Sequence, residues 1–284
     1  MNVPDPSTRP ASVRRWVKGL WEAPVADRVA AEEPLEIRVE TKSVSVTLRT
    51  PGHDDELAAG FLVSEGLLRH RADLRAIRPY PRNESGNVVD VFLEDTATFD
   101  FASLTRHVFA SSSCGLCGTT SIEALRRRFP PVTDRFCVAP EVLLALPARL
   151  RAAQQGFSTS GGLHAAALFG SDGRLWVVRE DVGRHNAVDK VIGRRFLDGA
   201  FPVGPSVLMV SGRVSFEIVQ KALAAGIAMV AAVSAPSSLA VEFAAESGQT
   251  LVGFLREGRF NVYAGARRIT GAGQGLDPAP GIVQ

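Results

Sequence analysis

The stretch Val207-Leu208-Met209-Val210-Ser211-Gly212-Arg213 joins an uninterrupted apolar run to two small residues and an arginine. An apolar run of this kind is typical of a strand buried on both faces, and a helix is predicted to follow at 216–225. The segment Val233-Ser234-Ala235-Pro236-Ser237 repeats the arrangement between a predicted strand at 227–233 and a helix at 239–246. In an open α/β sheet such junctions lie where ligands bind, although serine and glycine also occur there simply as helix caps.

The flanking segments complete a regular order of elements. Apolar runs at 164–169 and 175–179 enclose a Ser-Asp-Gly turn, which predicts a hairpin, and apolar residues recur at helical spacing over 187–196. A second hairpin, of 250–255 with 260–263, ends the series. The order ββαβαβαββ predicts an α/β fold with a mixed sheet and helices on both of its faces.

A dense polar cluster, Arg179-Glu180-Asp181-Val182-Gly183-Arg184-His185-Asn186, precedes the first helix of this half. One interpretation is a capped helix start, with Asp181 or Gly183 at the cap and the charges solvated. The other is a functional site around His185. No cysteine or second histidine stands at a metal-ligand spacing from His185, which favours the capped helix.

The N-terminal half predicts a smaller α+β portion. Alternating apolar and polar residues predict a hairpin of strands at 35–39 and 44–48, and an apolar-faced helix is expected at 57–63. Further strands are expected at 77–80 and 88–93.

A longer helix is predicted between the two halves. Pro140 suits the first helical position, and the helix is expected to run through Gln155 and to end at Gly156. Pro147 must kink or divide it. The small residues 158–162 then predict a flexible loop.

Four segments follow from these patterns. Residues 1–34 mix proline and charge and are predicted to be poorly ordered. Residues 35–156 form the α+β portion that carries the paired cysteines, and 157–264 form the α/β domain. Residues 265–284 form a C-terminal tail.

The composition limits the class of protein. The chain has 284 residues, of which 45% are hydrophobic and 22% charged, with a net charge of +2. That charge gives no case for bulk binding to nucleic acid or to a membrane surface. No apolar run reaches the length of a membrane span, and no apolar signal region follows the basic N-terminus. Three cysteines indicate a reducing compartment, so a cytoplasmic protein is expected.

Two of the cysteines form a CxxC, Ser111-Ser112-Ser113-Cys114-Gly115-Leu116-Cys117-Gly118. The following Thr120-Ser121-Ile122-Glu123 has the form of a capping box, so a helix is expected to begin at Thr120. Both thiols then precede a helix N-terminus, whose partial positive charge favours the nucleophilic thiolate.

Four interpretations of this CxxC remain open from the residues alone. It can be half of a structural zinc site, a thioredoxin-like redox site, a pair of buried cysteines, or a reactive loop that carries a sulfur or acyl group. The zinc site has too few evident ligands, and the redox site lacks a preceding strand. Flanking serine and glycine argue for exposure, so the reactive loop is favoured.

Five motifs in order are similar to those of a known family. They are Ser-Ser-Cys-Gly-Leu-Cys-Gly at 112–118, Ser-Gly-Gly-Leu-His-Ala-Ala at 160–166, Glu-Asp-Val-Gly-Arg-His-Asn-Ala-Val-Asp-Lys at 180–190, Ser-Gly-Arg-Val-Ser-Phe-Glu at 211–217 and Ser-Ala-Pro-Ser-Ser-Leu-Ala at 234–240. Over about Leu35 to Tyr263 the chain resembles the formate dehydrogenase accessory sulfurtransferases, FdhD.

The resemblance implies a sulfurtransferase. Such a protein accepts persulfide sulfur from a cysteine desulfurase and passes it to the molybdenum cofactor, as bis(molybdopterin guanine dinucleotide), for formate dehydrogenase. The resemblance places the persulfide on the first cysteine, here Cys114, whereas electrostatics favours Cys117, which is nearer the helix start. It also implies a homodimer.

The resemblance further implies a fold like that of cytidine deaminases, but without zinc. A zinc deaminase needs a His or Cys with Glu two residues on, and then Pro-Cys-x-x-Cys. Two residues after His185 stands Ala187, 211–216 contains no cysteine, and all three cysteines precede residue 138. A deaminase mechanism is therefore excluded, and the site is left free for a guanine nucleotide.

The family's cofactor contact corresponds here to Phe254-Leu255-Arg256-Glu257-Gly258-Arg259. Two arginines beside a glycine turn suit a pyrophosphate, and an aromatic ring can stack on guanine or pterin. GDP or GMP should act as mimics of the bound cofactor. Arg213, at the end of a predicted strand, is a further candidate. Without the resemblance, an ordinary hairpin turn with solvated charges would be preferred.

The rival hypothesis is a zinc-stabilised binding module without chemistry. Its ligands would be Cys114, Cys117, Cys137 and a histidine such as His107. In the sulfurtransferase hypothesis no metal is expected, and Cys137 is predicted to be a buried residue without a role.

Overall fold

The computed structural model describes residues 5–80, 86–94 and 129–271. The strands are β1 (Thr8–Val13), β2 (Trp16–Val17), β3 (Leu20–Trp21), β4 (Val25–Ala30), β5 (Glu33–Val39), β6 (Lys42–Arg49), β7 (Leu74–Pro79), β8 (Val88–Leu93), β9 (His164–Phe169), β10 (Leu175–Asp181), β11 (Val207–Val210), β12 (Met229–Ala232), β13 (Thr250–Arg256) and β14 (Arg259–Ala264). The helices are α1 (Asp54–Ser64), α2 (Pro140–Ala153), α3 (Gln155–Ser160), α4 (Arg184–Leu197), α5 (Phe216–Ala224) and α6 (Ser238–Glu246).

Six strands of the C-terminal half form one mixed sheet, in the order β10-β9-β11-β12-β13-β14. Strands β11, β12 and β13 are parallel, and the outer pairs are antiparallel hairpins. The predicted order ββαβαβαββ and the mixed sheet are thus confirmed. The further likeness to cytidine deaminases stays a prediction.

The apolar run of β11 is buried on both faces of this sheet. Leu208 and Val210 lie in a core with α4, α5 and α6, whereas Val207 and Met209 lie in a second core with α2. Because side chains alternate across a strand, one continuous apolar run serves both cores. Helices therefore cover both faces, as the sequence predicted.

The N-terminal strands form a separate four-stranded sheet, in the order β6-β5-β8-β7. The predicted hairpin of β5 with β6 is confirmed, and the strand at 77–80 begins earlier, at Leu74. Leu35 and Leu57 of this portion share one core with Val191 and Phe243 of the other. The two portions are therefore packed together, and the segment boundaries drawn from the sequence stay predictions.

The residues before β5 differ from their prediction. Residues 1–34 were expected to be poorly ordered, but Thr8–Val13 pairs with Val25–Ala30 along its whole length, and the hairpin β2–β3 follows at its tip. Lys18 and Gly19, which connect β2 to β3, both have positive φ, as a two-residue hairpin turn requires. The structure of this segment comes from backbone pairing between β1 and β4, which amino-acid composition does not predict.

The helices between the two halves also differ from their prediction. Helix α2 runs through Pro147 without division, because Leu143, Leu146 and Leu150 on both sides of it are buried in the same core. Gly156 does not end a helix, and residues 158–160 are not a loop: both lie in α3. Gly161, at φ 68°, ends α3 in the left-handed conformation that glycine adopts readily.

Helices α1 and α4 cross at two glycines, and this crossing joins the two portions. A Cβ atom on Gly60 would lie 1.8 Å from the carbonyl oxygen of Asp189, and one on Gly193 would lie 1.8 Å from that of Glu56. No side chain fits between backbones at this distance.

Among the described residues no helix has the length and apolar character that crossing a membrane requires.

A buried ion pair lies beside this crossing. Arg179 of β10 donates two hydrogen bonds to the carboxylate of Glu56 in α1, the Nη2–Oε1 distance being 2.6 Å. Burial alone would raise the pKa of Glu56, but hydrogen bonds from His53 and Arg179 outweigh it and lower that pKa to about 2. The charged form of Glu56 therefore stabilises the fold.

We predict that Gly60→Ala lowers the free energy of unfolding by about 3 kcal/mol or more, since the new methyl group must separate α1 from α4. Helix propensity alone would raise the free energy of unfolding by about 1 kcal/mol, so the sign of the measured change distinguishes the two effects. Urea denaturation measures the change. Gly199→Ala, at φ 72° with open space around it, is the control and should cost only about 1 kcal/mol. A Gly60→Ala protein as stable as the parent would contradict the close crossing.

The ion pair predicts a dependence of stability on acid pH. Because the folded-state pKa of Glu56 lies below its ordinary value of 4.5, its contribution is present above pH 4.5 and is lost as the pH falls towards 2. The loss should be about 3 kcal/mol. Urea denaturation at pH 6 and pH 3 should show about 2 kcal/mol of this loss, because at pH 3 the folded carboxyl group is still mostly ionised. Glu56→Gln should be less stable at pH 6 and should flatten that dependence, whereas Glu257→Gln, on the surface, should retain it.

Candidate functional site

The carboxyl ends of β11, β12 and β13 meet at one edge of the six-stranded sheet, because these strands are parallel. The junctions after β11 and β12 and the β13–β14 turn all lie at this edge. Strand β9 runs the other way, so its first residue, His164, lies there too. The edge thus collects side chains from segments that are far apart in sequence.

The two Ser-containing junctions have different roles. Ser237 accepts a hydrogen bond from the Ala240 amide at 3.3 Å and is a helix cap, as the alternative interpretation held. Ser211 instead bonds to β9: its Oγ accepts from the Ala165 amide, and its own amide donates to the Ala165 carbonyl, both at 2.9 Å. Ser211 therefore fixes the turn after β11 against the start of β9.

The predicted cofactor segment lies at the same edge. Phe254 has a φ of 50° and a side chain that is 36% exposed, and its amide donates to the carbonyl of Ser234. Leu255 is completely buried in the α2 core, so its side chain faces away from any surface ligand. Of Phe254 and Leu255, only Phe254 has an aromatic side chain that can stack on a ring of a ligand.

The charged residues of that segment are exposed. Arg256 pairs with Arg259 across the hairpin, and Glu257 and Gly258, at φ 78°, make the turn. Arg213 is also exposed, after the end of β11. Since β11 lies two strands from β13, the two strands are roughly 10 Å apart. Arg213 and the two hairpin arginines together suit an extended anionic ligand. Taken by itself, the β13–β14 hairpin is equally an ordinary turn with solvated charges.

The polar cluster before α4 is a helix start, but its charges are not solvated as was expected. Gly183 is the N-cap residue, and the completely buried Asp181 accepts from its amide at 2.8 Å. Asp181 also pairs with the equally buried Lys190 at 2.7 Å. The chain supplies a buried cation here because burying a lone carboxylate would cost far more.

His185 lies beside this helix start in a partly buried site. Its Nε2 atom is 3.1 Å from both the Ser215 hydroxyl and Oε2 of Glu217. Burial, together with Lys221 and Arg184, lowers the pKa of His185 to about 3, and burial raises the pKa of Glu217. The contact is therefore a hydrogen bond of a neutral imidazole and not a salt bridge.

His164, which the sequence did not single out as a site residue, belongs to the wall of a cavity. The cavity has a volume of about 450 Å³ and lies between α2, α3 and the sheet edge. Leu150, Phe157 and Met209 make its wall apolar, and Arg151, His164 and Ser211 add polar groups. The signal available in the sequence was the motif at 160–166, which contains His164.

The cysteines divide between two parts of the chain. Cys114, Cys117, the helix expected at Thr120, and His107 lie outside the described residues. Cys137 is exposed, not buried as predicted, because its short segment crosses the surface with its Sγ atom 3.6 Å from the Arg135 carbonyl. No group of three metal-ligating side chains occurs in the described part of the chain, which holds only Cys137 of the four zinc ligands considered above.

Comparison with known proteins identifies relatives along most of the chain. A model of the FdhD/NarQ family matches residues 30–270. A protein of Streptomyces coelicolor named sulfur carrier protein FdhD is 54% identical, covering 86% of this chain and 89% of its own. A protein of Mycobacterium tuberculosis with the same name is 50% identical, covering 92% and 99%.

A solved structure agrees with these relatives. The crystal structure of a protein from Desulfotalea psychrophila, described as a formate dehydrogenase accessory protein, superimposes with a TM-score of 0.75 at 25% identity. It covers 93% of this chain and 100% of its own. The family resemblance drawn from five motifs is thereby confirmed: this chain belongs to the FdhD/NarQ family.

Proposed function

We propose that this protein is a sulfurtransferase that carries persulfide sulfur on Cys114 and Cys117 to the molybdenum cofactor of formate dehydrogenase. The observation that carries the proposal is the CxxC in a chain whose relatives are named sulfur carrier proteins. The structural neighbour, described as a formate dehydrogenase accessory protein, points to the same recipient.

The chemistry of loading is thiol exchange at sulfur. The Cys114 thiolate attacks the terminal sulfur of a persulfide on a cysteine desulfurase, forms a new S–S bond, and releases the donor's thiolate. No net oxidation occurs, because one S–S bond replaces another. This exchange requires a sulfur donor that carries a persulfide, as a cysteine desulfurase does.

The second thiol supplies the electrons for delivery. When the Cys117 thiolate attacks the inner sulfur of the Cys114 persulfide, a Cys114–Cys117 disulfide forms and the terminal sulfur leaves as hydrosulfide. The leaving sulfur gains two electrons, which the two cysteine sulfurs lose as they are oxidised to the disulfide, so no other reductant is needed for release. A cellular dithiol then reduces the disulfide for the next cycle.

The cofactor is the substrate of this transfer and is proposed to bind at the carboxyl edge of the sheet. Arg256 and Arg259 present exposed guanidinium groups beside the Gly258 turn, and Phe254 offers a half-exposed ring. Guanidinium groups bind phosphate oxygens through paired hydrogen bonds, and aromatic rings stack on bases. Bis(molybdopterin guanine dinucleotide) offers both, and GDP or GMP offers its guanine end. We place this reaction in the cytoplasm, in a homodimer.

Sulfur loading is tested by mass spectrometry. After incubation with a cysteine desulfurase, its pyridoxal cofactor and L-cysteine, the tryptic peptide with Cys114 and Cys117 should gain the mass of one or more sulfur atoms, and dithiothreitol should remove it. Cys137→Ala should load normally. Cys117→Ala should load but fail to activate formate dehydrogenase, and Cys114→Ala should not activate it. Absence of label on either thiol of the parent protein would refute the sulfurtransferase proposal.

Cofactor placement is tested by calorimetry with GDP. Arg256→Ala combined with Arg259→Ala should cost about 3 kcal/mol or more in binding, since two charge-assisted contacts are lost, and should leave sulfur loading intact. The matched control is Arg174→Ala, because Arg174 is an exposed hairpin arginine at the opposite edge of the same sheet. Unchanged GDP affinity in the double variant would show that the hairpin is not the site.

A further inference from the structure

The N-terminal arm, residues 8–30, extends from the rest of the protein as a narrow ribbon. Strands β1 and β4 pair over their whole length, which makes the ribbon roughly 20 Å long, and helix α3 packs against both strands. Every residue from Arg14 to Val29 is exposed. The arm tip, defined as residues 14–21 with the hairpin β2–β3, thus lies outside both apolar cores.

The arm tip is apolar on both of its faces. Trp16 pairs with Trp21, and Val17 pairs with Leu20. Because paired residues share a face and successive residues alternate, the two tryptophans lie on one face and the two aliphatic side chains on the other. The exposed fractions of these four residues range from 43% to 73%. A partner that packed against one face would leave the other in water, whereas a medium that surrounds the tip would cover both.

The same arm tip is cationic. Arg14, Arg15 and Lys18 lie within residues 14–21, which contain no acidic residue. None of the three forms an ion pair within the described part of the chain, and the Arg14 guanidinium stands over the Trp21 ring, 5.6 Å from its centroid. The net charge of the whole chain, +2, does not reveal this local concentration. The tip therefore fits a partner that is both apolar and anionic.

An anionic lipid surface has both properties. Tryptophan favours the boundary between headgroups and acyl chains, where its ring is buried and its N–H stays hydrated. Each lysine or arginine close to such a surface strengthens binding about fivefold. A second copy of the tip fits less well, because three cations of one copy would oppose three of the other.

Lys18 limits how deeply the arm tip can enter a bilayer. It stands in the β2–β3 turn at φ 49°, followed by Gly19 at φ 88°. An ammonium group is costly to move into the acyl core, although its flexible chain can extend back to a lipid phosphate. The tip should therefore enter only to the boundary between headgroups and acyl chains, about 5–10 Å deep.

We propose that the arm tip binds the surface of an anionic lipid bilayer, with its four apolar side chains at the headgroup boundary and its three cations on lipid phosphates. Such binding would concentrate the protein at a membrane surface. It uses neither the cysteines nor the arginines of the β13–β14 hairpin. The proposal thus goes beyond the proposed sulfur transfer and stands or fails independently of it.

The first test is co-sedimentation of the full chain with vesicles of equal parts phosphatidylglycerol and phosphatidylcholine. The parent protein should bind these vesicles, bind them less as salt is added, and not bind vesicles of phosphatidylcholine alone. The triple variant Arg14→Gln, Arg15→Gln, Lys18→Gln should bind about a hundredfold more weakly, since three cations are lost.

The matched control is the triple variant Arg69→Gln, Arg135→Gln, Arg174→Gln, which removes the same charge from exposed sites elsewhere on the surface. It should bind the vesicles as the parent does, and thermal unfolding verifies that each variant is folded. Equal weakening in both triple variants would overturn the proposal, because the attraction would then come from the net charge of the whole protein.

Tryptophan fluorescence tests where the rings lie. The chain has three tryptophans, so Trp176→Phe leaves only Trp16 and Trp21 as reporters. Anionic vesicles should shift their emission to shorter wavelength, and lipids brominated near the headgroup should quench it more than lipids brominated at the chain end. Trp16→Ala combined with Trp21→Ala should weaken vesicle binding about tenfold or more.

A second copy of this chain is the alternative occupant. If it covered the arm tip, the emission of Trp16 and Trp21 would already lie at short wavelength without vesicles. The double variant Trp16→Ala, Trp21→Ala would then also convert a dimer into monomers in sedimentation velocity. Either result, or full vesicle binding by that double variant, would overturn the proposal.

Discussion

The close crossing of α1 and α4 at Gly60 and Gly193 is the constraint on which the rest of the structure depends. The two backbones approach so closely that a single methyl group on either glycine would overlap a carbonyl oxygen of the other helix. This contact brings the four-stranded sheet and the six-stranded sheet onto one apolar core. The N-terminal portion therefore packs as part of the α/β half and is not an appendage to it.

Buried polar groups fix the register of this crossing. Asp189, on α4, accepts from Ser64 of α1 and from Lys221 of α5, each at 2.8 Å. Thr50, between β6 and α1, donates its amide to Asp181, and its carbonyl accepts from Lys190. Each charge is paired across two elements, so sliding one helix along the other would leave a buried charge without its partner, at a cost of several kcal/mol. The apolar core alone would tolerate such a slip more readily.

The same contacts determine the chemistry of the sheet edge. Asp181 and Asp189 are engaged by Lys190 and Lys221, and neither carboxylate forms an ion pair with Arg184 or Arg213. His185 is kept neutral by burial and by neighbouring cations, which makes it a hydrogen-bond partner of Ser215 and Glu217.

The sequence by itself determined the local elements and the family. Periods of two and of 3.6 residues, with the Ser-Gly junctions after β11 and β12, predicted the ββαβαβαββ order and helices on both faces of the sheet. Five motifs then identified the family. Local patterns missed the pairing of 8–13 with 25–30, the continuation of α2 through Pro147, and the exposure of Cys137. Only the tertiary structure placed His164, Arg184 and Gly212 together, because residues from different strands meet through sheet order. It also decided that Asp181 is buried and paired, because desolvation and the choice of partner depend on groups distant in the chain.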